Sequence, residues 1–256
     1  MNSRQPFLGF SVDAVSMQHA VERVDELVRA GRGAQVLQLN AVNLVASRKL
    51  APLADAYRQA DLLTADGMGI YYASRVIGRP IPEMVSGVHL MLEVARLAQA
   101  RGYGVYVLGA KPDVVGLAVS ALQSQFPGVR VVGYRDGYIA SDAAAAVHEG
   151  VDAAGAEIVF VGMSTPLKEF WIRDHAGRHG MAVCIGVGGS LDVLAGLYTL
   201  APQWMRALAL EWLYRVIQEP RRLWKRYAYS LPVFIALTLR EAVRARFVTL
   251  TRAHPR

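Results

Sequence analysis

The sequence predicts an α/β fold, in which a Rossmann-like, largely parallel sheet with flanking helices precedes a helical, basic C-terminal appendage. Three observations support this prediction. Short β-branched or apolar runs alternate with longer helical patterns over the first 200 residues, as in βαβ units. Most of these runs end in Gly, Asn, Asp, Ser or Thr. Tryptophan and basic residues concentrate in the last 56 positions.

Periodicity gives seven strands and seven helices. The predicted strands are 7–12, 35–39, 62–64, 105–108, 130–133, 158–161 and 182–185. The predicted helices are 17–30, 68–77, 88–100, 112–125, 141–154, 166–180 and 202–218. We therefore expect one α/β domain over residues 1–195, a normal domain size, and an amphipathic helical appendage over residues 196–256.

Composition excludes several classes of protein. An apolar content of 53% with 19% charged residues is typical of a globular protein and not of a disordered one. The one cysteine, Cys184, lies in an apolar run, so we expect a buried thiol and no disulfide framework. Residues 231–239 form the longest apolar stretch of the tail. A spanning helix needs roughly 20 apolar residues, so this tail is expected to lie on a membrane and not to cross it.

The tail carries the charge asymmetry of the chain. Residues 201–256 contain 11 of the 28 Lys and Arg residues, 3 of the 21 acidic residues and three of the four tryptophans. Apolar residues at helical spacing form a stripe in it: Met205, Leu208, Ala209, Trp212, Leu213 and Val216. A basic, aromatic tail on a neutral body favours an anionic membrane surface as partner. Packing of the stripe on the body is the alternative, and a homo-oligomer stays open. No nucleic acid is expected, because no recognition motif accompanies the charge.

Polar residues follow the predicted strands, where ligands bind in open parallel sheets. These residues are Asn40 and Asn43, Asp66 and Gly67, Gly109 and Lys111, Ser164 and Thr165, and Gly188. Several of them precede helices, whose free N–H groups and dipoles favour a phosphate. The sequence therefore predicts a polar crevice at this edge of the sheet.

Asp66 is the candidate catalytic base of this crevice. It follows an apolar strand, and the glycines at 67 and 69 allow a ligand to approach the backbone closely. By spacing alone, an N-cap for the helix that begins near Met68 is the competing interpretation.

Other motifs are weaker. The GVGGS turn at 186–190 lacks the third glycine of a dinucleotide fingerprint and is consistent with a phosphate or ribose contact or a plain turn. Asp192 could contact a ribose or cap its helix. His175 and His179 have i,i+4 spacing without a third ligand, which indicates a solvated helix face. No D-x-D spacing occurs, so no metal site is expected.

Several segments together resemble the WecG/TagA/CpsF glycosyltransferase family over almost the whole chain. The most specific is GVGGSLDVLAG…APQWMRALALEWLYRVIQEPRRLWKRY at 186–227. LNAVNLV, ADGMGI, GVHLM, LGAKP and STPLKE match in order and spacing, at 39–45, 65–70, 87–91, 108–112 and 164–169.

The resemblance implies an inverting, metal-independent transfer that needs no cofactor. The donor would be a UDP-sugar carrying N-acetylmannosamine, its uronic acid or another hexose such as glucose. The acceptor would be a saccharide on undecaprenyl diphosphate, at the cytoplasmic face of the cell membrane, in surface polysaccharide synthesis. It also implies that the appendage docks on the membrane and helps to complete the active site. The rival hypothesis is a non-catalytic protein that binds a nucleotide or polysaccharide precursor at the membrane surface.

Carried over by position, Asp66 resembles the general base of the family and Asn40 the asparagine near the donor sugar and diphosphate. The segment 164–169 resembles its S-P-K-Q-E loop, and Asp192 the aspartate near the nucleoside. Arg221 and Arg222 are candidates to bind the departing diphosphate.

This chain also departs from the family pattern. Met84 and His89 stand where an arginine and an aspartate are frequent, Lys168 replaces a glutamine and Gln38 a threonine. Both Gln38 and Lys168 are expected to contact substrate. These departures leave the identity of the donor sugar open.

Overall fold

A computed structural model describes residues 4–140, 143–178, 181–208 and 210–253. Its strands are β1 Arg4–Phe7, β2 Phe10–Asp13, β3 Ala34–Leu39, β4 Leu62–Ala65, β5 Gly104–Gly109, β6 Arg130–Arg135, β7 Ile158–Gly162 and β8 Val183–Gly186. Its helices are α1 Met17–Arg29, α2 Ala41–Ser47, α3 Ala51–Gln59, α4 Met68–Val76, α5 Gly87–Arg101, α6 Pro112–Gln125, α7 Ala144–Ala153, α8 Leu167–Arg178, α9 Ser190–Leu194, α10 Gln203–Ala207, α11 Glu211–Gln218 and α12 Pro220–Ala253.

Six strands form one parallel sheet in the order β4-β3-β8-β7-β5-β6. The central strands are continuous apolar runs, such as IVFVG in β7 and VCIG in β8, as expected for a parallel sheet covered on both faces. Because every strand runs in the same direction, all the carboxyl ends lie along one edge of the sheet. The predicted α/β fold is confirmed.

Helices pack on both faces of the sheet and enclose two apolar cores. On one face, α1, α5, α6 and α9 cover residues such as Val105 and Ile158. On the other, α2, α3, α8 and α12 cover residues such as Leu37 and Val159. Cys184 lies in this second core and is fully buried, as predicted.

The predicted first strand, 7–12, is wrong. The chain turns back at Leu8 and Gly9, both at positive φ (47° and 92°), and forms an antiparallel β1–β2 hairpin. The Asp13 carboxylate accepts a hydrogen bond of 2.8 Å from the Leu63 backbone N–H, which holds the hairpin against β4. Gly9 was the sequence signal for this turn, because glycine adopts a positive φ without strain.

Sequence analysis missed both helices between β3 and β4. Helix α2 begins at an N-cap, Asn40, whose Oδ1 accepts from the Asn43 backbone N–H at 2.9 Å. Helix α3 has Pro52 in its first turn. Both features are helix-start signals, but these segments are too short to show a clear 3.6-residue period.

The predicted single helix over 202–218 is also wrong. Helix α10 ends at Ala207, α11 begins at Glu211, and the Leu210 backbone N–H bonds to the Met205 carbonyl at 2.8 Å between them. No Gly or Pro marks this break, so the apolar period continues across it. Of the predicted stripe, Met205 is buried, Leu208 is exposed, and Ala209 lies outside the described residues.

The long helix α12 packs along α2 and α4. Its residue Phe234 is buried in the core next to Gly69, where an added Cβ would lie 3.8 Å from the Phe234 ring. Within the described ranges, every helix is too short or too polar to span a membrane.

Candidate active site

Asp66 lies at the carboxyl end of β4, beside the end of β3. Its backbone N–H donates to the Leu39 carbonyl at 2.9 Å, which extends the ladder between the two strands by one residue. The N-cap of α4 is Gly67, at a φ of 85°, and no side chain caps that helix. The capping interpretation of Asp66 is therefore wrong, and its carboxylate is left for other contacts.

Asn40 connects the end of β3 with Asp66. Its Oδ1 caps α2, and its side-chain amide forms a hydrogen bond that stabilises the ionised Asp66 carboxylate. The two uses are compatible because an asparagine amide has a separate acceptor and donor. Asn40 thus fixes the orientation of Asp66 while it fixes the start of a helix.

Helix α11 brings two charges to Asp66. Burial raises the pKa of the Asp66 carboxyl, and the negative charge of Glu211 raises it further. The charge of Arg215, the Asn40 hydrogen bond and the charge of Lys168 act in the opposite direction, and the resulting pKa is about 6. A carboxylate with this pKa is ionised at neutral pH and is a stronger base than an exposed aspartate.

Asn43, in the first turn of α2, binds an arginine of the tail. Its Oδ1 accepts from a terminal guanidinium nitrogen of Arg226 at 2.7 Å. Nearby, Tyr227 stacks at a tilted angle on Trp212, with ring centroids 5.7 Å apart. Tail residues from α11 and α12 therefore form one wall of the crevice.

A buried polar cluster lies beneath this wall. The Lys168 ammonium donates to Thr165 Oγ1 at 2.6 Å and to Glu169 Oε1. Glu169 is fully buried, and its Oε1 also accepts from the hydroxyls of Tyr57 at 2.6 Å and Thr165 at 3.0 Å. Burial lowers the pKa of Lys168, and the adjacent Glu169 offsets that effect.

Glycines allow the tips of β5, β7 and β8 to pack closely. A Cβ on Gly109 would lie 2.5 Å from the backbone of Gly162, and a Cβ on Gly162 would lie 2.3 Å from the Leu191 side chain. Gly109 and Gly188 also have positive φ, 138° and 53°. Gly109 therefore requires glycine for conformation and for space, Gly162 for space and Gly188 for conformation, whether or not a ligand binds there.

Gln38, in β3, lies at the wall of the crevice beside the start of α5. Its side chain is buried, and a Cβ added at Gly87 would be 3.4 Å from Gln38 Oε1 and 3.7 Å from the Val187 carbonyl. Its Nε2 is buried without a hydrogen-bond partner among the described residues. A buried N–H donor of this kind is usually satisfied, so a ligand acceptor would complete it.

The remaining predicted site residues occupy the same edge with fewer contacts. Ser164 is exposed and its carbonyl accepts from the Leu167 backbone N–H at 2.8 Å. Lys111 is exposed at the start of α6. Asp192 lies in the first turn of α9, where a Cβ on Gly189 would be 3.7 Å from its Oδ2.

Two tail arginines that were not singled out in the sequence reach the crevice, Arg215 and Arg226. Arg221 is exposed at the start of α12, and the side chain of Arg222 lies outside what the structure describes. Arg226 binds Asn43, and Arg215 acts on Asp66. The sequence did not show which tail arginines face the crevice, because the helix break before Glu211 sets which face of the tail turns inward.

The prediction of a solvated face for His175 is wrong. His175 is fully buried, with its ring stacked 4.7 Å from Trp171 and its Nδ1 2.9 Å from His148 Nδ1. His179 lies outside the described residues. Over the part of the chain that is described, no three His, Cys, Asp or Glu side chains converge as metal ligands would.

Comparison with known proteins identifies the family of the chain. The family model described as "Glycosyl transferase WecG/TagA/CpsF family" matches residues 5–247. An N-acetylglucosaminyldiphosphoundecaprenol N-acetyl-beta-D-mannosaminyltransferase of Bacillus subtilis (strain 168) is 32% identical over 209 residues, 82% of this chain and 80% of that protein. An enzyme of the same name from Staphylococcus aureus (strain MW2) is 35% identical over 179 residues, 69% of this chain and 68% of the other.

The family match runs through both the sheet and the tail. Asp66, Asn40, Lys168 and α11 fall within residues 5–247, as does α12 up to Phe247. The chain therefore belongs to the WecG/TagA/CpsF family and is a glycosyltransferase.

Proposed function

We propose that this protein transfers a sugar from a UDP-sugar to a saccharide on undecaprenyl diphosphate, with inversion at the anomeric carbon and without a metal. Asp66 is the general base. The observation that carries the proposal is the position of the Asp66 carboxylate at the carboxyl edge of the sheet, where its backbone extends the ladder between β3 and β4 and burial raises its pKa to about 6. This is where ligands bind in open α/β folds.

The reaction is a single displacement. An acceptor hydroxyl attacks the anomeric carbon, Asp66 takes its proton, and the bond from that carbon to the UDP oxygen breaks with the electron pair leaving on UDP. Attack from the side opposite the leaving group inverts the configuration. A base with a pKa near the working pH is effective because it is ionised yet still accepts a proton readily.

The leaving diphosphate requires positive charge. Lys168, Arg215 and Arg226 are the cationic side chains that act on this crevice through the contacts described above. Arginine binds phosphate oxygens with charge-assisted hydrogen bonds. Charges held in place before reaction stabilise the transition state without reorganisation.

The names of the relatives support the choice of substrates. Their acceptor is N-acetylglucosaminyldiphosphoundecaprenol and the sugar they transfer is N-acetylmannosamine. For this chain we propose the same acceptor class. N-acetylmannosamine, its uronic acid and glucose remain the donor sugars to test, because Gln38 and Lys168 replace residues frequent in the family.

The exposed face of α12 supports docking on the inner face of the cell membrane. It carries large apolar side chains at four-residue spacing, each more than half exposed: Ile235, Leu239, Val243 and Phe247. Exposed basic residues accompany them at Lys225, Arg240, Arg244 and Arg246. An adjacent face of the same helix packs on the body through Phe234 and Ala242, so the exposed apolar row faces outward. This combination suits an anionic bilayer surface.

The test is product mass. The purified protein would be incubated with N-acetylglucosamine on a lipid diphosphate and with each UDP-sugar in turn. A new lipid product heavier by one sugar residue, formed from one donor in the panel, is the expected result. UDP binding without transfer from any donor would support the rival, non-catalytic hypothesis.

Flotation with anionic vesicles tests the membrane component. Replacing Ile235 and Leu239 with serine should reduce the vesicle-bound fraction, because each loses buried apolar area at the interface. The matched control replaces Leu117 and Tyr138, which are also more than half exposed but lie on the body. Equal binding of both double variants would contradict docking through α12, and a dimer lost only in the tail variant would assign this face to a second copy.

A further inference from the structure

A chain of polar contacts joins the exposed cation Arg226 with the buried cation Lys168. Arg226 donates to Asn43 Oδ1 at 2.7 Å, and the Asn43 side chain acts on the Tyr57 hydroxyl, whose pKa it lowers against the larger effect of burial. That hydroxyl donates to Glu169 Oε1 at 2.6 Å, and Glu169 binds the Lys168 ammonium. The residues come from α12, α2, α3 and α8, so the chain crosses four elements.

The middle of this chain is withdrawn from solvent. Tyr57 is 1% exposed and Glu169 is fully buried, so neither is placed to touch a substrate. Burial of an ionised carboxylate is costly unless it is paired and hydrogen-bonded. Glu169 Oε1 meets this condition with the Tyr57 and Thr165 hydroxyls and with Lys168, whereas Oε2 is buried without a hydrogen-bond partner among the described residues. A carboxylate kept at this cost without substrate contact indicates a role through its partners.

We propose that Tyr57 and Glu169 are positioning residues, which hold Lys168 and Arg226 as a pair of fixed cations for the diphosphate of the nucleotide. The proposal rests on the proposed function, whose leaving group is UDP. Glu169 keeps Lys168 charged in its buried position and fixes the direction of the ammonium. Tyr57 links that anchor to Asn43 and therefore to the guanidinium of Arg226.

Like charges that act on each other need such an anchor. Burial lowers the pKa of Lys168, Glu169 raises it, and the charge of Arg226 lowers it. Without Glu169, burial and Arg226 both favour the neutral amine. The positive charge of Lys168 would then be lost as the pH rises, while the protein remained folded.

The experiment measures the affinity of the full-length protein for UDP as a function of pH, together with transfer kinetics. The variants are Glu169→Gln, Tyr57→Phe, Lys168→Gln and the double variant Lys168→Gln/Glu169→Gln. Glu169→Gln should weaken UDP binding by about 10- to 100-fold. Because its Lys168 loses charge at a lower pH, the deficit should grow as the pH rises. The double variant should bind UDP no more weakly than Lys168→Gln alone.

Tyr57→Phe is the milder variant and should weaken UDP binding about fivefold, as expected for one lost hydrogen bond. Its matched control is Tyr103→Phe. Tyr103 is also buried and also donates to a carboxylate at 2.6 Å, that of Asp25, but lies away from the crevice. Both variants lose the same kind of bond, so an equal loss of fold stability is expected and only Tyr57→Phe should alter UDP binding.

Two results would overturn the inference. One is an additive loss in the double variant with no change in the pH dependence of Glu169→Gln, since a merely structural role would act alike at every pH. The other is equal UDP affinity in Tyr57→Phe and Tyr103→Phe. Failure of the proposed function would look different: the wild type would transfer no sugar, while UDP binding would still respond to Tyr57 and Glu169.

Discussion

Asp25 and Asp66 are two carboxylates in contrasting surroundings. Asp25, in α1, is buried and accepts hydrogen bonds from Arg29, from Arg101 at 3.1 Å and from the Tyr103 hydroxyl at 2.6 Å. Asp66, at the tip of β4, is half-buried, with Asn40 as its hydrogen-bond donor and Glu211 among its neighbours. The first joins α1 to α5, and the second lies at the crevice.

The comparison teaches that burial alone does not decide what a carboxylate does. Burial raises the pKa of both groups. At Asp25 the bonds from Arg29 and Tyr103 and the charge of Arg101 outweigh it, so the net pKa is lowered. At Asp66 the charge of Glu211 adds to the effect of burial, and the pKa rises to about 6. A fully paired carboxylate stabilises the fold, whereas an underpaired one is available for proton transfer.

The largest expected effect is that of Asp66→Asn. Loss of the general base should reduce kcat by about 10²- to 10⁴-fold, while UDP binding persists. Steady-state transfer and UDP titration would check this. Asp136→Asn, at the tip of β6 on the same edge of the sheet, is the control and should keep full activity. Transfer by Asp66→Asn within a few-fold of wild type would remove Asp66 as the base.

The pH dependence of kcat/KM should follow the Asp66 carboxyl. Because its conjugate base is the active form, activity should fall about tenfold per pH unit below a pKa of about 6. A rate profile from pH 4.5 to 8 on the folded protein would locate this limb. A limb near the value for an ordinary aspartate, with no inflection near 6, would contradict the environment described for Asp66.

Asp25→Asn should show the opposite pattern to Asp66→Asn. It should lower the free energy of unfolding by about 1–3 kcal/mol, since Arg29, Arg101 and Tyr103 lose an ionised acceptor, and leave kcat unchanged. The folded pKa of Asp25 lies below its unfolded value of 3.8. Its stabilisation is therefore complete above that value and is lost as the pH falls through the lowered folded pKa. Urea unfolding at pH 7 measures the loss of unfolding free energy in the variant, and the same measurement at pH 3 shows how far that loss shrinks in acid.

The smallest effects sharpen the comparison by changing the neighbours of Asp66. Glu211→Gln removes a negative charge and should lower the Asp66 pKa, which moves the acid limb of the rate profile to lower pH. Arg215→Gln removes a positive charge and should move the limb to higher pH. Each shift should change the rate near pH 6 by a few-fold. A shift of the acid limb in the same direction in both variants would show that these charges do not act on Asp66.

Much of the sheet was predictable. Six strands appear within two residues of their predicted bounds, because short β-branched or apolar runs that end near Gly, Asn or Asp are distinctive. The polar strand tips were predictable for the same reason, since parallel strands end at one edge. The β1–β2 turn and helices α2 and α3 were missed, although Gly9, Asn40 and Pro52 were signals that could have found them.

The sequence by itself determined the α/β class, the basic tail and the position of Asp66 after β4, because these follow from local periodicity and composition. Only the tertiary structure decided that Arg226 and Arg215 reach the crevice, that Glu211 lies beside Asp66, and that Glu169 anchors Lys168. These contacts join residues up to 183 positions apart. They depend on the helix break after Ala207 and on how α12 packs against α2. Both are set by long-range packing, which no local sequence pattern records.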